Sequence, residues 1–323
     1  MYRIFIDGQA GTTGLQIHAL LRARADIELL EIDATQRKND SAKLDRIRQA
    51  DLVILCLPDD AAREVARLAS GLPVKILDAS TAHRVSPEWV YGLPELAPGQ
   101  RAAIRGALRV SNPGCYPTGF LLAIAPLVRK GIIPPDALLT VNAVSGYSGG
   151  GRKLIERYQA PAGAERSTSW ALRPYALNLA HKHIPEMQAW AGLTQPPLFV
   201  PAVADYYQGM LVQIPLFNDQ LPTADPGTAI LQTWEEVYQG EPLIRLHPLN
   251  DHIEPVEGYL DPELNNGSNY VDLFCYSSKQ HTLLIARLDN LGKGAAGAAV
   301  QNLNLMLGCE ELTGLQSTAK ARL

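Results

Sequence analysis

Cys115 is the residue of this sequence best suited to covalent chemistry. An extended apolar lead-in ends at the turn Pro113-Gly114, and a helix-compatible run over residues 120–128 follows the cysteine. A thiol at a strand-to-helix junction lies beside unsatisfied helix amides, whose partial positive charge lowers its pKa from roughly 8.5 toward neutrality. Most free cysteines are small buried hydrophobic residues, but this turn chemistry favours a nucleophile.

Two histidines could serve such a nucleophile as acid and base. His181 and His183 flank Lys182, and their imidazoles would share a face on a strand but diverge on a helix. Imidazole titrates near neutral pH and is the usual partner of a reactive thiol. We expect no metal site, because no third and fourth ligand follow at a useful spacing.

A glycine-rich run over residues 145–151 follows a strand-like stretch at 138–144 and precedes Arg152. Bare amides beside a forked guanidinium could hold a phosphate or a carboxylate, whereas the alternative is a plain flexible turn. The substrate contacts predicted from this run and the histidine pair are Ser145, Ser148, Gly149, Gly150, Arg152 and His181.

The N-terminal segment has the order of strand, glycine turn and helix that is typical of dinucleotide-binding domains. Glycines at 8, 11 and 14 follow a β-type run at 2–7 and lead into an amphipathic helix at 15–24. Such glycines let the backbone approach a pyrophosphate at a helix N-terminus. The spacing differs from the common G-x-G-x-x-G, so a tight turn without a ligand is the alternative. The cofactor contacts predicted here are Gly8, Gly11, Thr12, Thr13 and Gly14.

Strand and helix patterns alternate after this run, which predicts a doubly wound parallel sheet of the Rossmann type. The strands are expected at 27–33, 51–57 and 74–78, with helices at 41–49 and 59–69. Arg37 and Lys38 follow the second strand, where an NAD enzyme usually carries an acidic ribose ligand. Two cations suit the 2′-phosphate of NADP(H), although Glu31 and Asp33 stand nearby and a solvated loop pair is the alternative.

The second half of the sequence predicts an α+β domain with a mixed or antiparallel sheet. Its strands are expected at 198–204, 210–216, 270–277 and 282–288, with a helix at 229–238. A final helix over 289–304 is rich in glycine, which costs up to ~1 kcal/mol per site, so close approach by a backbone or a flat ring is expected. Ordinary helix packing is the alternative. We expect this helix to return to the first domain, giving boundaries at 1–114, 115–290 and 291–323, with a mobile loop at 161–165.

Composition limits the class of protein. A chain of 323 residues with 46% apolar and 19% charged residues predicts two globular domains. A net charge of -4 without a basic run argues against nucleic-acid binding. No stretch resembles a membrane span or a secretory signal, so a cytoplasmic location is expected. The four cysteines form no Cys-x-x-Cys pair, which predicts neither a zinc site nor a disulfide framework.

Several motifs together resemble the N-acetyl-gamma-glutamyl-phosphate reductase family, and its shorter subgroup in particular. The resemblance spans nearly the whole chain and rests on residues 8–14, 78–84, 91–95, 111–119 with Pro126, 145–152, 181–186 and 289–304. It implies NADPH-dependent reduction of an acyl phosphate to a semialdehyde in arginine biosynthesis, with Cys115 as the acyl-carrying nucleophile and His183 as the acid/base residue. It further implies cofactor contacts at Ser80, Asn290 and Gly292, a small-molecule substrate and a homo-oligomer, either dimer or tetramer.

Three other functions stay open at this point. A reductase of a carrier-protein-linked aminoadipyl phosphate has the same catalytic parts, and aspartate-semialdehyde dehydrogenase shares the plan but fits residues 113–118 and 181–183 less well. The third alternative is not an enzyme but an inactive NADP-binding sensor. The residues that would bind the acetamide and carboxylate of the substrate are not fixed, with Arg84, Arg109, Arg152 and Lys182 as candidates.

Overall fold

A computed structural model describes residues 1–9, 11–37, 39–160, 170–254 and 256–315. Lys38 and the loop predicted at 161–165 lie outside these residues. The chain divides into two compact units. The first contains Met1–Pro94, Pro98–Gly114 and Ala295–Leu315, and the second contains Glu95–Ala97 and Cys115–Gly294. Within the described residues, no helix combines the length and the apolar character that a membrane crossing requires.

The first unit is built on a six-stranded parallel sheet with the order β2-β1-β3-β4-β6-β5. Its strands are β1 (Tyr2–Asp7), β2 (Ile27–Leu30), β3 (Leu52–Leu55), β4 (Lys75–Asp78), β5 (Val90–Tyr91) and β6 (Arg109–Ser111). Its first four helices are α1 (Thr12–Arg22), α2 (Asp40–Gln49), α3 (Asp59–Leu68) and α4 (Gln100–Gly106).

Both faces of this sheet are covered, which explains why its central strands are almost continuously apolar. Ile4 and Ile54 belong to one buried cluster, whereas Phe5 and Val53 belong to a second cluster. Because successive side chains of a strand point to opposite faces, the two clusters lie on the two faces of the sheet. The predicted doubly wound parallel sheet is confirmed.

The second unit is built on a seven-stranded mixed sheet with the order β11-β12-β13-β10-β7-β9-β8. Its strands are β7 (Thr140–Gly146), β8 (Leu172–Pro174), β9 (Leu198–Ala204), β10 (Met210–Phe217), β11 (Ile244–Leu246), β12 (Val271–Ser277) and β13 (His281–Leu288). Its helices are α5 (Cys115–Arg129), α6 (Gly151–Gln159), α7 (Ile184–Ala191) and α8 (Pro226–Val237). The expected mixed sheet is therefore present.

Helix α5 is the central helix of the second unit and packs on one face of this sheet. A Cβ atom at Gly119 would lie 3.1 Å from Val212 and 3.2 Å from Ala286, so the missing side chain lets α5 approach β10 and β13 closely. The close packing fixes the height of α5 above the sheet and therefore the position of its first turn.

The C-terminal helix differs in its start from the sequence prediction. Residues Gly292–Ala296 form a π-helix, and α9 (Gly297–Leu307) follows it within the first unit. Helix α9 contacts α4, α1 and β4. The return of this helix to the nucleotide-binding sheet agrees with the prediction, but a regular helix beginning at residue 289 does not, because 289–291 form the turn that precedes the π-helix.

Candidate active site

Cys115 is the first residue of α5, and its side chain is partly exposed. The helix begins five residues earlier than the apolar pattern over 120–128 predicted. Pro117 falls in its first turn, where a missing amide hydrogen removes no intrahelical bond. The thiol therefore lies where helix amides point outward without intrahelical partners.

Aromatic rings surround the backbone neighbour of this cysteine. The ring of Tyr116 lies 5.0 Å from that of Phe199 and 5.9 Å from the His183 imidazole, measured between centroids. The Tyr175 hydroxyl donates to the Tyr116 hydroxyl at 3.1 Å. Burial, followed by the influence of Tyr175 and Cys115, raises the pKa of Tyr116 well above its usual value. Tyr116 therefore stays a protonated phenol beside the Cys115 sulfur.

The two histidines lie together, but on neither element that the sequence analysis considered. Residues 181–183 form a turn that leads into α7, with His183 as the N-cap residue. The two imidazole centroids are 4.7 Å apart with an interplanar angle of 78°. The backbone amide of His183 donates to Nδ1 of His181 at 3.1 Å, so a neutral His181 carries its proton on Nε2. His183 is buried, whereas His181 is half-buried.

The glycine-rich segment after β7 is more ordered than a plain flexible turn. The amides of Gly146, Tyr147 and Ser148 donate to the carbonyls of Gly209, Tyr206 and Tyr207 at 2.9, 2.9 and 3.0 Å. These three amides are therefore engaged within the protein, contrary to the expectation that the run offers bare donors.

The remaining predicted substrate contacts divide into a buried and an exposed group. Ser145 and Ser148 are buried, and a Cβ at Gly149 would lie 3.4 Å from the Ser145 hydroxyl. Gly150 is exposed and packs on Leu154. The guanidinium of Arg152 forms an ion pair with Glu156 at 2.8 Å and is 79% exposed. The structure thus brings Ser145 and Gly149 together but leaves Arg152 on the solvent side of α6.

Asn290 links this segment to the residues before the π-helix. Its Oδ1 accepts from the Gly209 amide at 2.8 Å, and its Nδ2 donates to the Ser148 hydroxyl at 2.9 Å. The predicted cofactor residue Asn290 is thus buried with both polar atoms engaged inside the second unit. Gly292, also predicted as a cofactor contact, is required by packing, because a Cβ there would lie 2.3 Å from the carbonyl oxygen of Ser268.

The glycine run of the first unit has the backbone shape that a phosphate loop needs. Gly8 has a φ of +91°, and a Cβ at this position would lie 2.2 Å from the carbonyl oxygen of Cys56. A Cβ at Gly14 would lie 2.6 Å from the Gly8 carbonyl oxygen. Gly11 is the extended N-cap of α1, and no side chain caps the helix there. Thr12 and Thr13 begin α1, so their amides fit the pyrophosphate of a dinucleotide.

Ser80 lies after β4 in the same unit. Its amide and its hydroxyl both donate to the Asp78 carboxylate, at 2.9 and 2.8 Å. The His83 imidazole binds the same carboxylate at 2.7 Å. Asp78 therefore orders the loop that carries this predicted cofactor residue.

An acidic residue, Glu31, and a basic residue, Arg37, follow β2 and are exposed to solvent. Arg37 is exposed, and Glu31 interacts with Gln9 at 3.1 Å and with His18 at 3.2 Å. Partial burial opposes ionisation of Glu31, but the hydrogen bonds from Gln9 and His18 outweigh it and lower the pKa of the carboxyl. Glu31 is thus a carboxylate tied to the glycine run and to α1.

Two family models match the chain over most of its length. Residues 3–104 match the semialdehyde dehydrogenase NAD binding domain, and residues 115–290 match the semialdehyde dehydrogenase dimerisation domain. N-acetyl-gamma-glutamyl-phosphate reductase 2 of Nostoc sp. is 50% identical over 97% of this chain and 99% of its own length. The protein of the same name from Pseudomonas putida is 48% identical over 96% of this chain and 98% of its own.

The chain belongs to the N-acetyl-gamma-glutamyl-phosphate reductase family of semialdehyde dehydrogenases. The resemblance read from its motifs is thereby confirmed. Aspartate semialdehyde dehydrogenase from Francisella tularensis has a TM-score of 0.71 at 15% identity, covering 95% of this chain and 100% of that chain. The enzyme of the same name from Candida albicans, with NADP, has a TM-score of 0.69 at 14% identity, covering 95% and 98%. At such identities the likeness shows the shared fold.

Sequence reasoning missed two residues of this site. Tyr116 stands inside the signature that pointed to Cys115, so its adjacency to the thiol was a usable signal. Tyr175 is 59 residues away and reaches the site only through the folded sheet. Among the described residues, no cluster of three histidine, cysteine, aspartate or glutamate side chains could hold a metal ion.

Proposed function

We propose that the protein reduces N-acetyl-γ-glutamyl phosphate with NADPH to N-acetylglutamate 5-semialdehyde and phosphate, a step of arginine biosynthesis. The observation that carries this proposal is 50% identity over 97% of the chain to a relative named for that activity. The placement of Cys115 at the start of α5, in a unit that also holds the paired imidazoles, supports it independently.

The chemistry begins with the thiol. The Cys115 thiolate attacks the γ-carbonyl carbon, and the first-turn amides of α5 stabilise the oxyanion of the tetrahedral adduct. The carbon–oxygen bond to phosphate then breaks, which leaves a thioester on Cys115 and releases inorganic phosphate. NADPH supplies the hydride that reduces this thioester when the cofactor is bound.

His183 acts first as the acid and then as the base in the second half of the reaction. Its imidazolium protonates the oxyanion that reduction produces, and the neutral imidazole then takes the hydroxyl proton back as the carbon–sulfur bond breaks. The products are the free aldehyde and the Cys115 thiolate, so the enzyme returns to its starting state. The hydrogen bond from the His183 amide to His181 holds the two imidazoles in one arrangement.

The first unit would hold the cofactor through residues 8–14. Gly8, Gly11 and Gly14 leave room for the pyrophosphate, and Arg37 with Lys38 would bind the 2′-phosphate. The proposal for NADP(H) is tested by Arg37→Ala, which should raise the KM for NADPH while leaving that for NADH unchanged. An unchanged KM for NADPH in the double variant Arg37→Ala, Lys38→Ala would contradict the assignment of NADP(H) to this site.

The reaction is tested in the reverse direction with N-acetylglutamate 5-semialdehyde, NADP+ and phosphate. We expect phosphate-dependent NADPH formation that Cys115→Ser abolishes while NADPH binding persists. Cys309→Ser is the matched control, because this partly exposed thiol lies in the first unit and should be dispensable. Activity in the Cys115→Ser variant would contradict the mechanism, and a preference for aspartate semialdehyde would contradict the substrate.

The protein is further proposed to act as a homo-oligomer through the sheet face of the second unit that α5 leaves open. Leu198 and Val200 of β9 are 48% and 37% exposed, and Phe217 of β10 is 56% exposed. A cavity of about 560 Å³ on the same sheet is lined by Leu211 and Leu283, among others. The family model matched by residues 115–290 is a dimerisation domain, which supports a second copy as the occupant.

Sedimentation velocity tests this assembly. Wild-type protein should sediment as a dimer or tetramer, and Val200→Glu should shift it to smaller species. Monomeric wild-type protein at micromolar concentration would contradict the proposal.

We also propose a cytoplasmic location, which the four free cysteines support.

A further inference from the structure

Glu95 and Lys293 form an ion pair that is completely buried in the second unit. The Lys293 ammonium lies 2.8 Å from both carboxylate oxygens of Glu95, and neither side chain has any solvent exposure. The two residues are 198 positions apart in the chain. Neither was among the site residues that the sequence predicted, although both lie in segments on which the family resemblance rests.

Burial of two charges is a poor way to gain stability. The free-energy cost of desolvating both ions can exceed the attraction between them, so pairs of this kind are often matched or improved by apolar residues of similar volume. A requirement for defined geometry gives a better reason for placing both charges here. The feature that the pair could hold in place is the adjacent π-helix.

This π-helix lies against the nucleophile. Lys293 is its second residue, and Gly294 follows. A Cβ at Gly294 would lie 2.8 Å from the Cβ of Cys115 and 3.3 Å from its Cα. The backbone of Gly294 is therefore in direct contact with the cysteine. Single π-helical turns are rare and occur often at functional sites.

We propose that Glu95 and Lys293 are positioning residues for Cys115. Their ion pair anchors the π-helix so that Gly294 packs on the cysteine backbone and Cβ, which fixes the direction of the thiol from α5. This inference rests on the proposed role of Cys115 as the nucleophile. It assigns to the buried pair a geometric function and no contact with the substrate.

The first test replaces both charges in the double variant Glu95→Gln, Lys293→Met, which keeps the side-chain volumes similar. Because the paired charges are removed together, the variant should fold with a circular dichroism spectrum like that of the wild type. We expect kcat to fall on the order of 10- to 100-fold, since small misplacements of a reacting group cost up to about that much. The KM for the acyl phosphate and the affinity for NADPH should stay near wild type.

A readout without substrate separates this inference from the proposed function. The rate of Cys115 alkylation by iodoacetamide is measured against pH in a Cys309→Ser background. Burial raises the pKa of Cys275 to about 12. Cys56 is partly exposed, but desolvation and the charges of Asp78 and Asp7 raise its pKa to about 12 as well, so both thiols should react little near neutrality. We expect the double variant to alkylate more slowly at the high-pH plateau than its parent.

The matched control removes an exposed pair of the same residue types, Lys130 and Glu236, which lie 2.7 Å apart. Lys130→Met with Glu236→Gln should leave the kcat and the alkylation rate unchanged. A folded Glu95→Gln, Lys293→Met variant that matches this control in both readouts would overturn the inference.

A second perturbation does not depend on the charges. Gly294→Ala places a methyl group against Cys115 and should also slow alkylation and lower kcat. An unaltered alkylation profile in Gly294→Ala would overturn the inference even where the double variant failed to fold. If wild-type protein did not reduce the acyl phosphate but both perturbations slowed alkylation, the proposed function would fail and the positioning role would stand.

Discussion

Pro126 lies inside the central helix α5, and the contacts around it give a prediction about the free energy of unfolding. Pro126 has no amide hydrogen, so the carbonyl of Leu122, four residues earlier, loses its intrahelical donor. The Tyr238 hydroxyl donates to this carbonyl at 2.6 Å. The Trp234 indole donates to the carbonyl of Ala123 at 3.0 Å. Two side chains at the end of α8 thus satisfy backbone oxygens near the proline.

Tyr238→Phe should destabilise the protein by about 1–3 kcal/mol, the cost of leaving a buried acceptor without a donor while the ring is kept. Burial raises the pKa of Tyr238, so its hydroxyl remains a donor across the neutral and mildly alkaline range. In a Pro126→Ala background, residue 126 regains an amide hydrogen for the Leu122 carbonyl. The same tyrosine substitution should then cost less than about 0.5 kcal/mol, so that the two substitutions couple.

Urea unfolding of the four proteins of this cycle, at one fixed protomer concentration, measures the coupling. Tyr207→Phe is the control, because this residue is 39% exposed and the change in its free energy of unfolding should lie within about 0.5 kcal/mol of zero. An equal cost of Tyr238→Phe in the wild-type and Pro126→Ala backgrounds would refute the reasoning. Pro126 would then not be the reason why the Leu122 carbonyl needs the Tyr238 hydroxyl as a donor.

Two further predictions concern the glycine run and the buried charges of β12 and β13. Gly14→Ala should weaken NADPH binding at least tenfold in a fluorescence titration, because its Cβ would lie 2.6 Å from the Gly8 carbonyl oxygen; unchanged affinity would contradict the fit of this loop to a dinucleotide. Asp272→Asn should cost about 1.5–3 kcal/mol at neutral pH, because Arg287, 1% exposed and 2.5 Å away, loses one of its two carboxylate partners and keeps Glu254. Burial alone would raise the pKa of Asp272, but the nearby His247 imidazole, the hydrogen bond from Arg245 and the charge of Arg287 hold it well below its usual value of 3.8. The stabilisation by this carboxylate is therefore complete above 3.8 and lost as the pH falls through the lower folded-state pKa. The stability gap to Asp272→Asn, followed by urea unfolding, should accordingly narrow in strong acid.

The sequence predicted best what depends on local periodicity and on glycine. Alternation of strands and helices in the first third determines a parallel sheet, because crossover connections leave few other topologies. Gly8 and Gly14 were recognisable because only a residue without a Cβ fits their positions. The apolar run over 120–128 did not report the early start of α5, where Pro117 is tolerated because it falls in the first turn.

Long-range pairings were beyond this kind of reasoning. The turn at 181–183 is neither strand nor helix, and its histidines meet because one backbone amide bonds the other imidazole. The amides of residues 146–148 are engaged by carbonyls about 60 residues away, which no local pattern reports. No local pattern of the sequence predicts that Glu95 and Lys293 are buried and paired with each other.

The places where the chain passes between its two units explain why the informative motifs are so concentrated. Glu95, Cys115 and Gly294 are each the first or last residue of a stretch of the second unit, next to Pro94, Gly114 and Ala295. At two of these positions a proline or a glycine restricts the backbone beside the boundary, namely Pro94 before Glu95 and Gly114 before Cys115, whereas at Gly294 the chain continues through the π-helix. Residues fixed at such turns have little freedom, and a nucleophile benefits from that restriction because its direction is set before the substrate arrives. The same covalent constraint that makes these segments recognisable in sequence therefore also makes them suitable for catalysis.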